Sequence, residues 1–259
     1  PRTKYRNLIT QSGGDTSDYP ENALETVFYP TNKIRLPVNK ENVIKSGLVK
    51  EKDSDLIEDY IDIDLPESII TKNQIMMLDI LANNNWERPI YFTGGSYEES
   101  EYIWMKDYLQ LDGLVYKLVP IKTSIENNPY EMGRIDSDLM YDIVKKWSWG
   151  NSESDEIYHD PETRKNSISF RGNLSRLSEE LILEGKYEKA EEILDLAFSK
   201  MPIDYYGYYS LWTPLIKSYY DIGKSEKVRE IVQKLSFKYS DRLNYFSSLE
   251  IFNQYDVGE

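Results

Sequence analysis

The sequence predicts an α+β chain, with a small α/β lobe over residues 1–160 and a purely helical region over 161–259. Three observations lead there. Two short β-branched and aromatic runs, "PIYFT" (89–93) and "GLVYKLVPI" (113–121), flank a stretch of helical length. After Phe170 only helical periodicity remains. And "LILEGKYEKAEEILDLAFSKMP" (181–202) aligns with "YYDIGKSEKVREIVQKLSFKYS" (219–240) at an offset of 38, an internal repeat that superposes Gly185 on Gly223 and Glu188-Lys189 on Glu226-Lys227.

Taken in order, the first 68 residues are rich in Pro, Asn, Asp and Gly. There "TQSGGDTSDYPEN" (10–22) reads as loop and "NKIRLPVN" (32–39) as an edge strand interrupted by Pro37. Thr71 and Gln74 have the spacing of a capping box, and Ile75 to Ala82 are apolar almost all round, which predicts a buried helix. Asn83 to Asn85 should stop it, because Asn tolerates the left-handed conformation used at helix ends. Pro89 then starts a strand at a position where its missing N–H costs little, and Gly94 and Gly95 close it. In this reading "ANNNWERPIYFTGG" (82–95) is a helix stop, a strand and an exit, with Trp86 packed at the junction and Arg88 paired to a nearby acid. Ser96 and Glu99 repeat the capping-box spacing ahead of a helix ending near Leu109. With the strand at 113–121, this gives a βαβ-containing sheet with packed helices. A helix over Ser137–Trp147 and the polar break "WGNSESDE" (149–156) place the lobe boundary between Gly150 and Arg164.

In the first copy of the repeat, Gly185, Tyr187, Ala190, Leu194, Ala197 and Pro202 stand at the spacings of the second half of a tetratricopeptide repeat, which this segment resembles. The second copy has Trp212 and Leu215 at the matching first-helix positions, but Ser225 and Val228 replace the expected small-aromatic and Ala signatures. Gly permits the tight turn and small Ala side chains let antiparallel helices approach closely. About three repeats are usually needed to bury a continuous core. Two copies are therefore expected to dock on the N-terminal lobe.

Composition removes several functions. Asp and Glu outnumber Lys and Arg by 45 to 31, for a formal charge of −14, and no basic stripe is present to neutralise phosphates. Nucleic acid is excluded as a partner. The absence of Cys rules out disulfides, thiolate metal sites and cysteine nucleophiles. The longest apolar stretch, "IMMLDILA" (75–82), falls far short of the ~20 residues that span a bilayer, and no signal-peptide pattern opens the chain. Because Pro1 rather than Met comes first, a processed product or a piece of a longer chain is expected.

The chemistry-bearing clusters are weak. A helix N-terminus after Gly94-Gly95 would suit a phosphate, but it offers only about half a positive charge. Glu98, Glu99 and Glu101 set three full negative charges against it. The pairs in "KDSD" (52–55), "DIDL" (62–65) and "RIDSD" (134–138) offer carboxylates for a metal or for acid/base work. In so acidic a chain they read first as solvated surface or helix caps, with Asp62 and Asp64 on one face of an extended segment and Asp136 as a cap. His159, the only histidine, sits in the turn-like "YHDPET" and reads as structural. No catalytic residue, metal or cofactor is expected. The aromatic linker "YYGYYSLW" (205–212) is the candidate binding surface, through Tyr205, Tyr206, Tyr208 and Trp212, although neighbouring helices pack on such groups equally well.

Taken together, "TKNQIMMLDILANNNWERPIYFT", "YLQLDGLVYKLVPI", "MYDIVKKWSWGN" and "FRGNLSRLSEELILEGKYEKAEEILDLAFSKMP" resemble the soluble C-terminal region of a bacterial family of multi-pass membrane proteins of unknown function. That family is related to protein O-mannosyltransferases of the GT-C type. The resemblance runs from about Ile69 to the C-terminus. It implies membrane spans upstream of Pro1, a location on the extracytoplasmic (periplasmic) side, and catalytic carboxylates in the membrane part rather than in this chain. The expected function is a non-catalytic accessory domain that binds a protein acceptor or partner, with a glycan as a further ligand. A carboxylate-dependent glycan-processing enzyme and a purely structural cap on the membrane domain stand as alternatives.

Overall fold

The computed structural model describes residues 3–4, 17, 27–28, 32–65, 70, 72–93, 103–123 and 132–249. These residues form small sheets followed by a helical C-terminal region, an α+β chain. They fall into two compact units that are not contiguous in sequence, one from 1–90, 96–109 and 118–126, the other from 91–95, 110–117 and 127–259.

In the first unit, β1 (Thr3–Lys4) pairs antiparallel with β2 (Val27–Phe28), and β3 (Lys33–Pro37) with β4 (Tyr60–Asp64). The β3–β4 ribbon follows the two-residue period of its sequence. Ile61 and Ile63 are buried while Tyr60, Asp62 and Asp64 face out. On that outer face Arg35 forks onto Asp62 at 2.7 and 2.9 Å, and Lys33 meets Asp64 at 3.4 Å. Pro37 ends its strand opposite Tyr60, where the loss of an N–H is tolerated. Helix α1 (Lys40–Lys45) is capped by Asn39, whose side chain accepts from the Asn42 N–H.

Helix α2 (Lys72–Asn84) departs from expectation: it is not buried all round. Gln74 and Leu81 are buried, but Met76 and Ile80 are 57% and 56% exposed. Ile75, Leu78 and Leu81 line a cleft with Ile34, Leu36 and Ile63 of the ribbon. A helix laid on one side of a two-stranded ribbon has a single stripe to bury. The stop is as the asparagines predict. Asn85 and Trp86 take positive φ, 45° and 61°, and the Asn84 amide donates to the Arg88 carbonyl at 2.8 Å. Trp86 is buried and its indole N–H donates to the Pro37 carbonyl at 2.9 Å. Arg88 has no ion-pair partner among the described residues.

Strand β5 (Tyr91–Thr93) pairs with β7 (Val115–Leu118), and β6 (Leu109–Asp112) completes a sheet ordered β5-β7-β6. The pairing of β5 with β7 is antiparallel, so the expected βαβ crossover is not formed. The run at 113–121 proves to be the second arm of a hairpin, because Asp112-Gly113 is a turn signal and Gly113 takes φ +72°. Ile103–Tyr108, within the expected crossover helix, is a 3₁₀ turn. The Gly94-Gly95 pair and the capping Ser96 and Glu99 lie outside the described residues. Inside the hairpin Lys117 and Asp112 are both buried and meet at 2.9 Å, and Gln110 donates to the second Asp112 oxygen at 2.8 Å.

Helix α3 (Ser137–Val144) is capped by Asp136, as its position suggested, and ends three residues before Trp147. Long α4 (Pro161–Leu183) starts from Asp160, which accepts from the Glu162 and Thr163 N–H groups. Then come α5 (Tyr187–Lys200), the single turn α6 (Ile203–Tyr206), α7 (Thr213–Asp221) and α8 (Ser225–Ser248). The sequence repeat reappears in the backbone. Gly185 and Gly223 have φ of +74° and +78°. After each, the next residue donates back across the turn, Lys186 to Leu181 at 2.8 Å and Lys224 to Tyr219 at 2.9 Å. That is the glycine-terminated helix end both copies require. Matched lysines then act alike: Lys186 and Lys189 both reach Asp138, whereas Lys224 and Lys227 both reach Glu191.

These lysines set an acid sensitivity. Hydrogen bonds from Lys186 and Lys189 hold the Asp138 carboxyl well below the usual range, and those from Lys224 and Lys227 lower Glu191. A carboxyl whose folded pKa is depressed contributes stability that is present above its unfolded value, about 4, and is lost as pH falls through the folded one. The melting temperature should hold from neutral pH to about pH 5 and drop below about pH 4. In Asp138→Asn, thermal melts across that range should start lower at neutral pH and fall less steeply in acid.

Candidate functional site

The aromatic linker is positioned by the end of α5. Pro202 prevents the helix from continuing, α6 adds one turn, and the chain reverses through Gly207 (φ 60°, ψ −147°) and Tyr208 (φ 44°, ψ 57°). The first conformation is essentially reserved for glycine, and the second is uncommon for a bulky residue. A 3₁₀ turn, Tyr209–Trp212, then leads into α7.

What holds this reversal is a residue that sequence reasoning missed. Arg171, on α4, is fully buried without a carboxylate partner. Its Nη1 donates to the carbonyls of Gly207 and Tyr208 at 2.9 and 3.3 Å, and its Nη2 to Ser167 Oγ at 2.9 Å. The guanidinium lies 5.0 Å from the Trp212 ring centre and 6.0 Å from that of Tyr208. Burial pushes its pKa down to about 10, so it remains a cation at neutral pH. The positive-φ residues thus have their carbonyls fixed from beneath.

The four sequence-selected aromatics separate into two groups. Trp212 is fully buried, stacked 4.4 Å from Phe198, and Tyr206 is buried with its hydroxyl donating to the Ser152 carbonyl at 2.9 Å. Trp212 packs the interior of the helical unit, whereas Tyr206, though only 3% exposed, borders the groove described next. Tyr205 is half-buried and stacks at 5.4 Å on His159, whose Nε2–H donates to the Ser154 carbonyl at 2.8 Å. His159 is structural, as its turn suggested. Tyr208 is half-buried and lines a groove of about 510 Å³. Ile168 and Arg164 of α4, Tyr209 of the turn, and Tyr239 and Arg242 of α8 share that groove. Tyr209 and Tyr239 meet edge to face at 5.4 Å, and Arg242 lies 6.0 Å over Tyr209. The signal that could have found the α8 wall is the spacing of Tyr239 and Arg242, three apart on one helix face.

Asp62 and Asp64 are exposed and ion-paired, Asp136 caps a helix and Asp138 is held by two lysines. Asp53 and Asp55 lie in the 3₁₀ turn Glu51–Leu56. Among the described residues there is no group of three His, Cys, Asp or Glu placed to hold a metal ion. No helix of the described residues is long and apolar enough to cross a membrane.

The family model for TMEM260-associated domain 2 matches residues 3–139. No curated protein matches the chain, and no solved structure does.

Proposed function

The chain belongs to the TMEM260-associated domain 2 family, and from that membership we propose that it is a non-catalytic accessory domain of a membrane-embedded, glycosyltransferase-like protein. Its place is the extracytoplasmic side, and its helical region holds a protein acceptor or partner in the manner of a tetratricopeptide repeat array. The observation that carries the reading is the groove walled by Tyr208, Tyr209 and Tyr239, whose turn is fixed from beneath by buried Arg171. A rigid, partly apolar wall of half-buried Tyr208 and Tyr209 and exposed Tyr239 supplies contact area at little cost in side-chain freedom. The matched turns at Gly185 and Gly223 support the repeat likeness. The carboxylate-dependent enzyme is the second reading, and Asp62, Asp64 and Asp138 in ion pairs and Asp136 in a helix cap give it less support.

The test is capture from membrane extract on the full 259-residue chain. Tyr208→Ala/Tyr209→Ala should lower partner recovery by about tenfold, the scale of a lost interface anchor, with its melting temperature close to wild type. Tyr206 is unsuitable for this test, since its buried, hydrogen-bonded ring reports on folding. Undiminished recovery by a folded double variant would contradict the site.

A further inference from the structure

Building on that partner-binding reading, we infer that the groove takes a carboxylate presented by an acidic peptide segment of the partner. Arg164 and Arg242 line it, and no Asp or Glu does. Neither arginine has an ion pair among the described residues, and Arg164 Nε is buried without a hydrogen-bond partner. Six lysines of the same unit are matched: Lys186, Lys189, Lys224 and Lys227 reach acids of neighbouring helices, and Lys234 and Lys238 reach Asp204. In a chain with 45 acidic and 31 basic residues, two unpaired arginines on one groove are a local reversal of sign.

The residue type narrows the ligand. Guanidinium presents a planar fork of donors that matches a carboxylate, and a charge-assisted bond would satisfy the buried Arg164 Nε. Beside the arginines, Ile168, Tyr208 and Tyr239 offer apolar surface to the residue next to the acid. A volume of about 510 Å³ suits a few side chains rather than a folded surface. The chain's charge of −14 repels an acidic segment at long range. At physiological salt that repulsion is screened beyond about 8 Å, whereas contact pairs inside a groove persist. Recognition is therefore short-ranged and local.

The full chain is titrated, in about 0.15 M salt, with a capped peptide alternating glutamate and leucine, with its glutamine counterpart, and with glucuronate. The acidic peptide should bind and the glutamine peptide should not. Arg164→Gln/Arg242→Gln should weaken the acidic peptide by at least about tenfold while leaving the protein folded, since the variant loses no ion pair and only the stacking of Arg242 on the Tyr209 and Phe246 rings. Equal binding of the two peptides, normal binding by the arginine variant, or binding of glucuronate without the acidic peptide would overturn the assignment. The partner-binding reading fails separately. If Tyr208→Ala/Tyr209→Ala loses partner capture while the arginine variant keeps it, the reading stands and the acidic segment falls; if both variants keep capture, both fall.

Discussion

Replacing Lys117 by Met is expected to lower the free energy of unfolding by about 3–5 kcal/mol, because it strands a buried carboxylate. Lys117 and Asp112 are 3% and 5% exposed and 2.9 Å apart, and their pair closes the β6–β7 hairpin with Gln110 as the third member. Desolvating both charges opposes most of their mutual attraction, so the intact pair adds little net stability; breaking it leaves the desolvation of Asp112 uncompensated. Adding Asp112→Asn to Lys117→Met removes that charge while keeping an oxygen for Gln110, and should restore most of the loss. Urea unfolding of the two single variants and the double variant measures this coupling directly. Additive losses would mean that the pair does not act as a unit.

The second large effect is at Arg171. Arg171→Met should cost about 2–4 kcal/mol, since the carbonyls of Gly207 and Tyr208 lose a charged donor and Ser167 loses its partner. Arg171→Lys should recover little, because one ammonium cannot span two carbonyls and Ser167 while lying flat against Trp212. Urea midpoints rank the variants. The same substitutions should weaken partner capture even in conditions where the protein remains folded, because the turn carrying Tyr208 and Tyr209 loses its support. A folded Arg171→Met with full capture would separate the latch from the groove.

These two residues also show where sequence reasoning stops. Helix caps and turns were legible because their signals are local: Asn85 in the left-handed region, Asp136 as a cap, Gly185 and Gly223 at matched turns, and Asp62 with Asp64 on one face of a strand. Burial of charge is not local. Nothing in the sequence around Lys117 ("VYKLV") or Arg171 ("SFRGN") marks either charge as interior. Both are interior because their partners arrive from elsewhere, Asp112 across the hairpin and the Gly207–Tyr208 carbonyls from the linker. The β5–β7 pairing was misread for a related reason. Strand-like runs do not state their direction, and the decisive Asp112-Gly113 turn lay inside a run read as one strand. Apolar content alone likewise misjudged α2, where Met76 and Ile80 stand exposed. For the aromatic linker, residue type drew attention to the turn but could not separate the buried rings, Trp212 and Tyr206, from the half-buried Tyr205 and Tyr208.

The central claim, that this helical unit binds a partner through the groove beside the 208–211 turn, is tested most directly by quantitative capture. Wild type, Tyr208→Ala/Tyr209→Ala and a Tyr60→Ala control, exposed on the β3–β4 ribbon, are compared at matched stability. Loss of recovery confined to the double variant is the predicted result. Equal recovery by all three would contradict it.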